Sequence, residues 1–219
     1  MKKIVVSASS LPAGRNMSSQ IEYVGRVSNF GADMYHVDVM DGTYTKNSSI
    51  NYTYIEQLKE KSAIMFDVHL MINNPQKVIK KYAGAGADII TVHYDVFEDV
   101  NELVKTLIKI RKLGKMAGVA LALETDAKVL EPIMRYIDMV LVLCVKAGKS
   151  GQKFDQTSVK KIKQIRAMNS QVLIEADGGI NAETAPVCVK AGADILVSGN
   201  YIYSNDTYEA IQTLKGKNG

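Results

Sequence analysis

The sequence predicts an α/β protein, a single (β/α)8 TIM barrel that occupies residues 1–219. Short β-branched runs alternate with longer amphipathic stretches along the whole chain, which is the pattern of βα units and of a parallel sheet. Eight such runs divide the 219 residues into units of about 27 residues, a length that suits a compact barrel. The tripeptide Gly-Ala-Asp also recurs before predicted strands, at 31–33, 86–88 and 192–194. A doubly wound open sheet is the structural alternative, but the first strand-to-helix turn lacks the G-x-G-x-x-G fingerprint.

The predicted elements alternate in order, each strand before its helix. The β-branched runs predict strands at 4–9, 34–40, 64–71, 89–94, 116–123, 139–145, 172–177 and 195–198. Amphipathic spacing predicts helices near 18–29, 52–61, 75–85, 98–113, 127–136, 155–168, 182–191 and 205–215. In each repeated tripeptide we expect the glycine just past a helix end, where a left-handed backbone needs no Cβ.

Composition and charge exclude several classes of protein. Apolar residues make up 47% of the chain and charged residues 23%, as in a folded enzyme rather than a disordered or fibrous protein. No apolar run reaches the roughly 18–20 residues of a membrane helix, and the amino-terminal segment enters a strand directly, so we expect neither membrane association nor a targeting peptide. The net charge of +4 comes from scattered lysines, so no nucleic acid partner is expected. Cys144 and Cys188 lie in apolar stretches and suit a reducing, cytoplasmic location.

Polar residues two positions apart mark the carboxyl ends of three predicted strands. Side chains alternate along a strand, so the two members of each pair share a face. Active sites of barrels lie at the carboxyl ends of the strands, and buried charges need partners. We therefore expect imidazoles and carboxylates to converge on one divalent metal ion, such as Zn, Fe, Mn or Co rather than Ca or Mg. The pairs are His36 with Asp38, Asp67 with His69, and Glu175 with Asp177.

Glycine-rich loops follow the last three predicted strands. Barrels commonly bind phosphate there, through loop amides and a short helix N-terminus. The sequence therefore predicts a phosphate site that draws on several of these loops. Its candidate residues are Gly148, Gly151 and Gln152 after strand six, Gly178 and Gly179 after strand seven, and Gly199 and Asn200 after strand eight.

Two methionines and one further histidine complete the list of candidate site residues. Met40 and Met71 have the same inward parity as the metal-ligand candidates, and soft side chains there would exclude water from a reactive intermediate. His93 follows Thr91 on the fourth strand, with no carboxylate recognised two residues away. We expect His93 at the rim of the site, and we expect its replacement to leave a bound metal in place.

Five motifs occur in the order found in one enzyme family. They are His-Val-Asp-Val-Met-Asp-Gly at 36–42, Asp-Val-His-Leu-Met at 67–71, Gly-Val-Ala-Leu at 118–121, Gly-Gln-Lys-Phe at 151–154 and Asp-Gly-Gly-Ile-Asn at 177–181. With these motifs the sequence resembles the ribulose-phosphate 3-epimerase family over nearly its whole length. The resemblance implies an enzyme that inverts C3 of a ketose phosphate, most directly D-ribulose 5-phosphate to D-xylulose 5-phosphate, and an assembly of identical chains.

The resemblance also implies roles for individual residues. It implies a divalent metal ion held by His36, Asp38, His69 and Asp177, with Asp38 and Asp177 as the catalytic acid/base pair and Ser7 in contact with the substrate. Elementary chemistry agrees, because inverting a carbon next to a carbonyl requires proton removal from one face and proton delivery to the other. The enediolate between those steps carries negative charge, which a divalent cation stabilises.

Several loops depart from the family pattern. After strand six the chain reads Lys-Ala-Gly-Lys-Ser-Gly-Gln at 146–152, where the family has Asn-Pro-Gly-Phe-Gly-Gly-Gln. After strand two, Thr-Tyr-Thr-Lys-Asn at 43–47 stands in place of His-Phe-Val-Pro-Asn. These changes leave the sugar open, and D-allulose 6-phosphate is an alternative substrate. The remaining departures are Ala122 for Asn, Leu143 for Met and Asn200 for Ser, and the added lysines are Lys46, Lys146 and Lys149.

Three rival functions remain. Lys146, at the end of strand six, is a candidate Schiff-base nucleophile of an aldolase, although a regular strand from Leu143 would turn it away from the pocket. The related decarboxylase and hexulose-phosphate synthase group shares the barrel, but it has a lysine on strand three within Asp-x-Lys-x-x-Asp, where this chain has His69. A sugar-phosphate sensor that has kept the metal site and lost turnover is the non-enzymatic alternative.

Overall fold

Eight parallel strands close into a barrel in the order of the sequence, in a computed structural model that describes residues 3–148 and 151–217. The last strand pairs with the first, with Ser7 opposite Val197. The predicted (β/α)8 barrel is therefore confirmed, and every predicted strand is present. The strands are β1 (Val5–Ser9), β2 (Met34–Met40), β3 (Met65–Met71), β4 (Ile89–His93), β5 (Met116–Leu121), β6 (Met139–Leu143), β7 (Leu173–Asp177) and β8 (Ile195–Ser198).

Helices follow the strands and bury their apolar faces against them. The α-helices are α1 (Met17–Asn29), α2 (Tyr52–Lys59), α3 (Ile79–Gly84), α4 (Val100–Lys112), α5 (Thr157–Met168), α6 (Ala185–Ala191), α7 (Asn200–Ser204) and α8 (Thr207–Leu214). Shorter 3-10 turns lie at Leu11–Ala13, Pro75–Lys77 and Tyr94–Val96. The predicted helix at 127–136 is a 3-10 helix, Ala127–Tyr136, because Pro132 inside it cannot donate the hydrogen bond that an α-helix requires.

The fifth and sixth strands end two residues earlier than predicted, at Leu121 and Leu143. After β5 the chain leaves the sheet, and the buried amine of Lys161 on α5 donates to the carbonyls of Ala122 and Leu123. Residues whose carbonyls are taken by a side chain no longer extend the ladder. The β-branched composition of these segments therefore continues past the end of the strand itself.

The interior of the barrel is apolar at its amino end and polar above. Side chains in barrels fill the interior in layers contributed by alternate strands. One residue from each even-numbered strand forms an apolar floor here: Met34, Ile89, Met139 and Ile195. Fully buried polar side chains, among them Asp67 and Glu175, lie in the interior above this floor. The floor separates the polar site at the carboxyl ends from the solvent below.

Aspartates connect the strands at the amino end of the barrel. Each of four aspartates precedes an even-numbered strand, accepts a hydrogen bond from a backbone N–H of the odd-numbered strand before it and pairs with a basic side chain. They are Asp33 with Val6 and Lys215, Asp88 with Phe66 and Lys59, Asp138 with Ala117 and Arg111, and Asp194 with Ile174 and Arg166. Three of the four belong to the Gly-Ala-Asp repeats. The glycines of those repeats have φ of 89°, 106° and 121°, which confirms the predicted left-handed turns.

Close packing inside the barrel gives a stability prediction at Gly118 on β5. A Cβ at this position would lie 2.9 Å from Cβ and 3.1 Å from Cα of Thr91, its neighbour on β4. We expect Gly118→Ala to destabilise the fold by about 1–3 kcal/mol, the usual cost of overpacking, and to lower Tm by roughly 2–10 °C in thermal unfolding.

The matched control for this prediction is Gly25→Ala in the middle of α1. Nothing lies within 4 Å of a Cβ built at Gly25, and alanine is the better helix former, so this variant is expected to match or exceed the parent Tm. Equal unfolding temperatures for the two variants would contradict the prediction.

Candidate active site

A cavity of about 600 Å³ opens at the carboxyl ends of the strands. Asp38 at the end of β2 and Asp177 at the end of β7 both line it, so two carboxyl groups face the same space from different strands. The loops after β6, β7 and β8 form much of the remaining wall. This is the end of the barrel where the sequence predicts the chemistry.

Four side chains meet at the bottom of the cavity. Nδ1 of His69 lies 3.1 Å from Oδ1 of Asp38, and Nε2 of His36 lies 3.3 Å from the same oxygen. Oδ2 of Asp177 lies 3.9 Å from the His36 nitrogen and 4.0 Å from the His69 nitrogen. Ligands bound about 2.0–2.2 Å from one ion lie roughly 3–3.6 Å apart, so these spacings fit a single metal ion after a small approach of Asp177. The predicted four-residue cluster is therefore present.

His36 is held from behind by a second carboxylate. Its Nδ1 lies 2.6 Å from Oδ2 of Asp67, which also accepts a hydrogen bond from Ser7. Glu175 lies against Asp67, and its carboxyl is completely buried. Burial, with the charge of Asp67, raises the pKa of Glu175 well above its ordinary value, which favours the protonated form of this carboxyl beside Asp67. The Asp67 carboxylate thereby fixes Nδ1 of His36 as a donor and leaves Nε2 for the cavity.

His93 is not a rim residue, contrary to the prediction from sequence. It is completely buried, stacks on His69 with ring centroids 4.9 Å apart, and places its Nε2 2.9 Å from Nε2 of His69. A carboxylate two residues away does exist, since Nδ1 of His93 lies 3.3 Å from Oδ1 of Asp95. The signal is in the sequence, because Asp95 stands two positions after His93, the spacing of the other three pairs, although it lies past the end of β4 in the 3-10 turn Tyr94–Val96.

The two aspartates that face the cavity differ in electrostatic environment. Burial acts to raise the pKa of Asp38, but the charge and hydrogen bonds of His36 and His69 outweigh it and hold this pKa below its ordinary value. Burial raises the pKa of Asp177 to about 7, and the charge of Asp38 adds to the increase. The two carboxyl groups that face the cavity therefore differ in how readily they hold a proton.

Comparison with known proteins assigns this site to a family. Residues 5–203 match the Ribulose-phosphate 3 epimerase family. The chain belongs to this family. The ribulose-phosphate 3-epimerase of Bacillus subtilis (strain 168) is 39% identical over 192 residues, which cover 85% of this chain and 87% of that protein. The chloroplastic ribulose-5-phosphate-3-epimerase of Arabidopsis thaliana is 36% identical over 217 residues, 97% of this chain and 76% of that protein. The protein is thus an epimerase, which is an isomerase.

Solved structures of other enzymes share the fold of this epimerase. A 3-hexulose-6-phosphate synthase from Salmonella typhimurium superimposes with a TM-score of 0.73 at 16% identity, covering 98% of each chain. A 3-keto-L-gulonate-6-phosphate decarboxylase from Vibrio cholerae O1 gives 0.76 at 12% identity, covering 99% of this chain and 97% of that one. At such low identity the likeness shows the barrel alone. In the epimerase, His69 occupies the strand-three position where that group is expected to have lysine.

Most of the predicted substrate-contacting residues of the epimerase line the cavity. Those that do are Met71, Gly148, Gly151, Gln152, Gly178, Gly179, Gly199 and Asn200. Met40 is buried at the end of β2 but is not among the described residues that line the cavity. Ser7 is also buried below it, while Ser9 lines the cavity and donates to Oδ2 of Asp38 at 3.3 Å. Ser9 lies two positions after Ser7 on β1, so its side chain also points into the barrel, one layer nearer the mouth. This spacing could have identified Ser9 from the sequence.

The loop after β2, residues 41–51, crosses the mouth of the epimerase barrel. The side-chain amide of Asn47 donates to the carbonyl of Gly148 at 2.6 Å, so this loop meets the loop after β6. Between them a second cavity of about 740 Å³ is lined by Lys46 and Lys146, whose side chains are both exposed. Lys146 also borders the main cavity, and its carbonyl accepts a hydrogen bond from Gln152. The predicted departures at Lys149 and Ser150 lie outside the described residues.

None of the helices in residues 3–148 and 151–217 has the length and apolar character that crossing a bilayer requires.

Proposed function

We propose that this epimerase inverts C3 of D-ribulose 5-phosphate to give D-xylulose 5-phosphate. The observation that carries the proposal is the pair of carboxyl groups, Asp38 and Asp177, that face one cavity from strands on different sides of a cluster of imidazoles. Membership of the family supports the reaction class, and the relatives' names supply the sugar.

We assign a divalent metal ion to the cluster of His36, Asp38, His69 and Asp177. The chemistry of the donor set fits, because two imidazole nitrogens and two carboxylates suit Zn, Fe, Mn or Co. Each histidine also has its second ring nitrogen engaged, by Asp67 for His36 and by His93 for His69, as metal-bound histidines usually do. When bound, such an ion supplies Lewis-acid stabilisation of the negative charge that develops on substrate oxygen.

The acid/base steps belong to the two aspartates. Asp38 on β2 and Asp177 on β7 approach the substrate from different sides, so one removes the C3 proton and the other delivers a proton to the opposite face. The roles exchange when the reaction runs in the reverse direction. Ser9 holds the carboxylate of Asp38 through its hydroxyl, which keeps the base oriented toward the cavity.

The phosphate group of the substrate is assigned to the glycine loops. Gly179 has φ of 66°, and a Cβ at this position would lie 2.8 Å from the backbone nitrogen of Phe154 in the loop after β6. The loops after β6 and β7 therefore pack backbone to backbone, which leaves main-chain amides beside the cavity wall. Oxygens of a phosphate are well matched to such amides.

Turnover on a panel of ketose phosphates tests the proposed function. We expect D-ribulose 5-phosphate to give the highest kcat/KM among four- to six-carbon ketose phosphates in a coupled epimerase assay, with metal content measured on the same sample. The changed loops, with Lys46 and Lys146 near the substrate, make D-allulose 6-phosphate the second candidate. A higher kcat/KM for D-allulose 6-phosphate would make that sugar, rather than D-ribulose 5-phosphate, the assigned substrate. Binding without turnover of any sugar would favour the sensor, and trapping of Lys146 by borohydride would favour the aldolase.

We also propose that the enzyme acts in the cytoplasm on a small sugar phosphate. Both cysteines, Cys144 and Cys188, are free and buried, which suits a reducing compartment. Assembly into a homo-oligomer and the expected absence of nucleic acid and membrane partners stay predictions, and light scattering of the purified protein would test the first.

A further inference from the structure

A continuous chain of hydrogen-bonding groups leads from Nε2 of His69 through His93 to Tyr44 and Asp95. Nε2 of His69 lies 2.9 Å from Nε2 of His93. Nδ1 of His93 lies 3.0 Å from the Tyr44 hydroxyl and 3.3 Å from Oδ1 of Asp95, and the same hydroxyl lies 2.9 Å from Oδ2 of Asp95. His69 and His93 are completely buried, so water does not compete for these bonds.

The proton on each bond can be assigned from the acceptor at its far end. An ionised carboxylate only accepts, so Tyr44 donates its hydroxyl proton to Asp95. The hydroxyl oxygen and Asp95 then both face Nδ1 of His93 as acceptors, and Nδ1 must carry the ring proton. A neutral His93 then has Nε2 as an acceptor, and Nε2 of His69, 2.9 Å away, is placed to donate to it.

This assignment leaves Nδ1 of His69 without a proton. With its proton on Nε2, a neutral His69 has the lone pair of Nδ1 free to bind a cation beside Oδ1 of Asp38, at 3.1 Å, and Oδ2 of Asp177, at 4.0 Å; without the ion, the same nitrogen is within hydrogen-bonding distance of Asp38. Three electron-pair donors then face one another, which is the arrangement that a cation needs. If the proton were on Nδ1 instead, it would occupy the position of the ion.

We propose that His93 is a positioning residue for the metal centre: together with Asp95 and Tyr44 it fixes the tautomer and orientation of His69 so that Nδ1 faces the metal ion. The proposal rests on the metal assignment made under the proposed function, but not on which sugar the enzyme uses. The stacking of the two rings, with planes 23° apart, adds a steric restraint to the hydrogen bond.

Tyr44 brings the loop after β2 into this network. The family pattern that the sequence resembles has phenylalanine where this chain has Tyr44. The ring of Tyr44 lies 4.4 Å from that of His93, centroid to centroid, while Asn47 on the same loop contacts Gly148 across the cavity mouth. The Tyr44 hydroxyl therefore links the loop after β2 to the histidine that contacts His69.

The inference is tested by measuring metal affinity rather than turnover. The dissociation constant for Co²⁺ is measured by chelator competition, and the visible absorption of the bound ion reports its ligand field. We expect His93→Leu to weaken Co²⁺ binding by about 10–100-fold, the usual effect of removing an outer hydrogen-bond partner of a ligand, whereas the sequence alone predicts that replacing His93 leaves the metal in place. His93→Gln should recover most of the affinity and the parent spectrum, because its carbonyl can accept from His69 while its amide donates to Asp95.

Tyr44→Phe should weaken Co²⁺ binding less than His93→Leu does. Its matched control is Tyr54→Phe, which removes a hydroxyl that donates to the carbonyl of Arg15 at 2.9 Å, in no contact with the network. Tyr54→Phe should bind Co²⁺ like the parent, and this comparison decides the matter if His93→Leu does not fold.

Two outcomes overturn the inference, and they are distinguishable. Parent-like Co²⁺ affinity in His93→Leu would remove the positioning role and leave the proposed function intact. If His93→Leu does not fold, equal Co²⁺ affinities of Tyr44→Phe and Tyr54→Phe would have the same meaning. A parent protein that binds no Co²⁺ removes the metal centre itself, and the inference with it.

Discussion

Replacing Asp38 or Asp177 with asparagine is expected to slow epimerisation by ~10²-fold or more, the usual scale for a lost acid/base group. An amide keeps the shape of the side chain but cannot accept the C3 proton or deliver one. Both residues face the cavity, so the loss should appear in kcat as well as in kcat/KM. Steady-state kinetics of the purified variants measure it.

Hydrogen exchange with solvent gives the same prediction a second readout. In heavy water the parent enzyme should place deuterium at C3 of the newly formed epimer from the first turnovers, because each aspartate exchanges its proton with solvent on its own side. Asp99→Asn is the matched control, since Asp99 caps the start of α4 and asparagine caps a helix equally well. Near-normal epimerisation by either site variant, or product without solvent hydrogen, would remove the paired-aspartate assignment and favour the carbon–carbon chemistry of an aldolase.

Loss of the metal ion is the second large effect. The purified enzyme is expected to carry about one divalent transition metal per chain, and His69→Ala should lose both the metal and most activity. Activity should fall by ~10²-fold or more, because Lewis-acid stabilisation of developing charge typically contributes several kcal/mol. Elemental analysis and assays after chelation and re-addition of Zn, Fe, Mn or Co provide the measurements.

Met71→Ala is the matched control for metal content. Met71 lies two residues along β3 from His69, on the same inward face, but its thioether is not among the four clustered ligands. This variant should keep the metal even if its substrate kinetics change. No metal in the parent protein, together with no activation by the four ions, would rule out the assignment.

Strand periodicity accounts for most of what the sequence predicts correctly about the site. Alternation along β2 and β3 places His36 with Asp38, and Asp67 with His69, on the inner face, and closure of the barrel brings β7 and its Asp177 to them. Such predictions succeed because alternation along each strand decides which side chains point into the barrel. Closure of the sheet then brings the inward side chains of different strands close together.

The errors arise where contacts depend on loops. Tyr44 reaches His93 across 49 residues of sequence, and its loop shows no local pattern that would place a hydroxyl there. Asp95 is different, because its two-residue spacing from His93 is the same signal that marks the other pairs, although it lies in a 3-10 turn past the end of β4. Just past the end of β5, Lys161 on α5 donates to two backbone carbonyls, and such a tertiary contact is not visible in the β-propensity of the sequence.

The four aspartates at the amino end of the barrel bear on how this enzyme can diverge. They tie neighbouring strands together on the face opposite the cavity, so part of what holds the fold together lies far from the residues that choose the substrate. Insertions and exchanges in the carboxyl-end loops, such as those at 43–47 and 146–152, leave these ties unchanged. Substitutions that alter substrate specificity can therefore accumulate in the carboxyl-end loops of the barrel without weakening the stabilising contacts at its amino end.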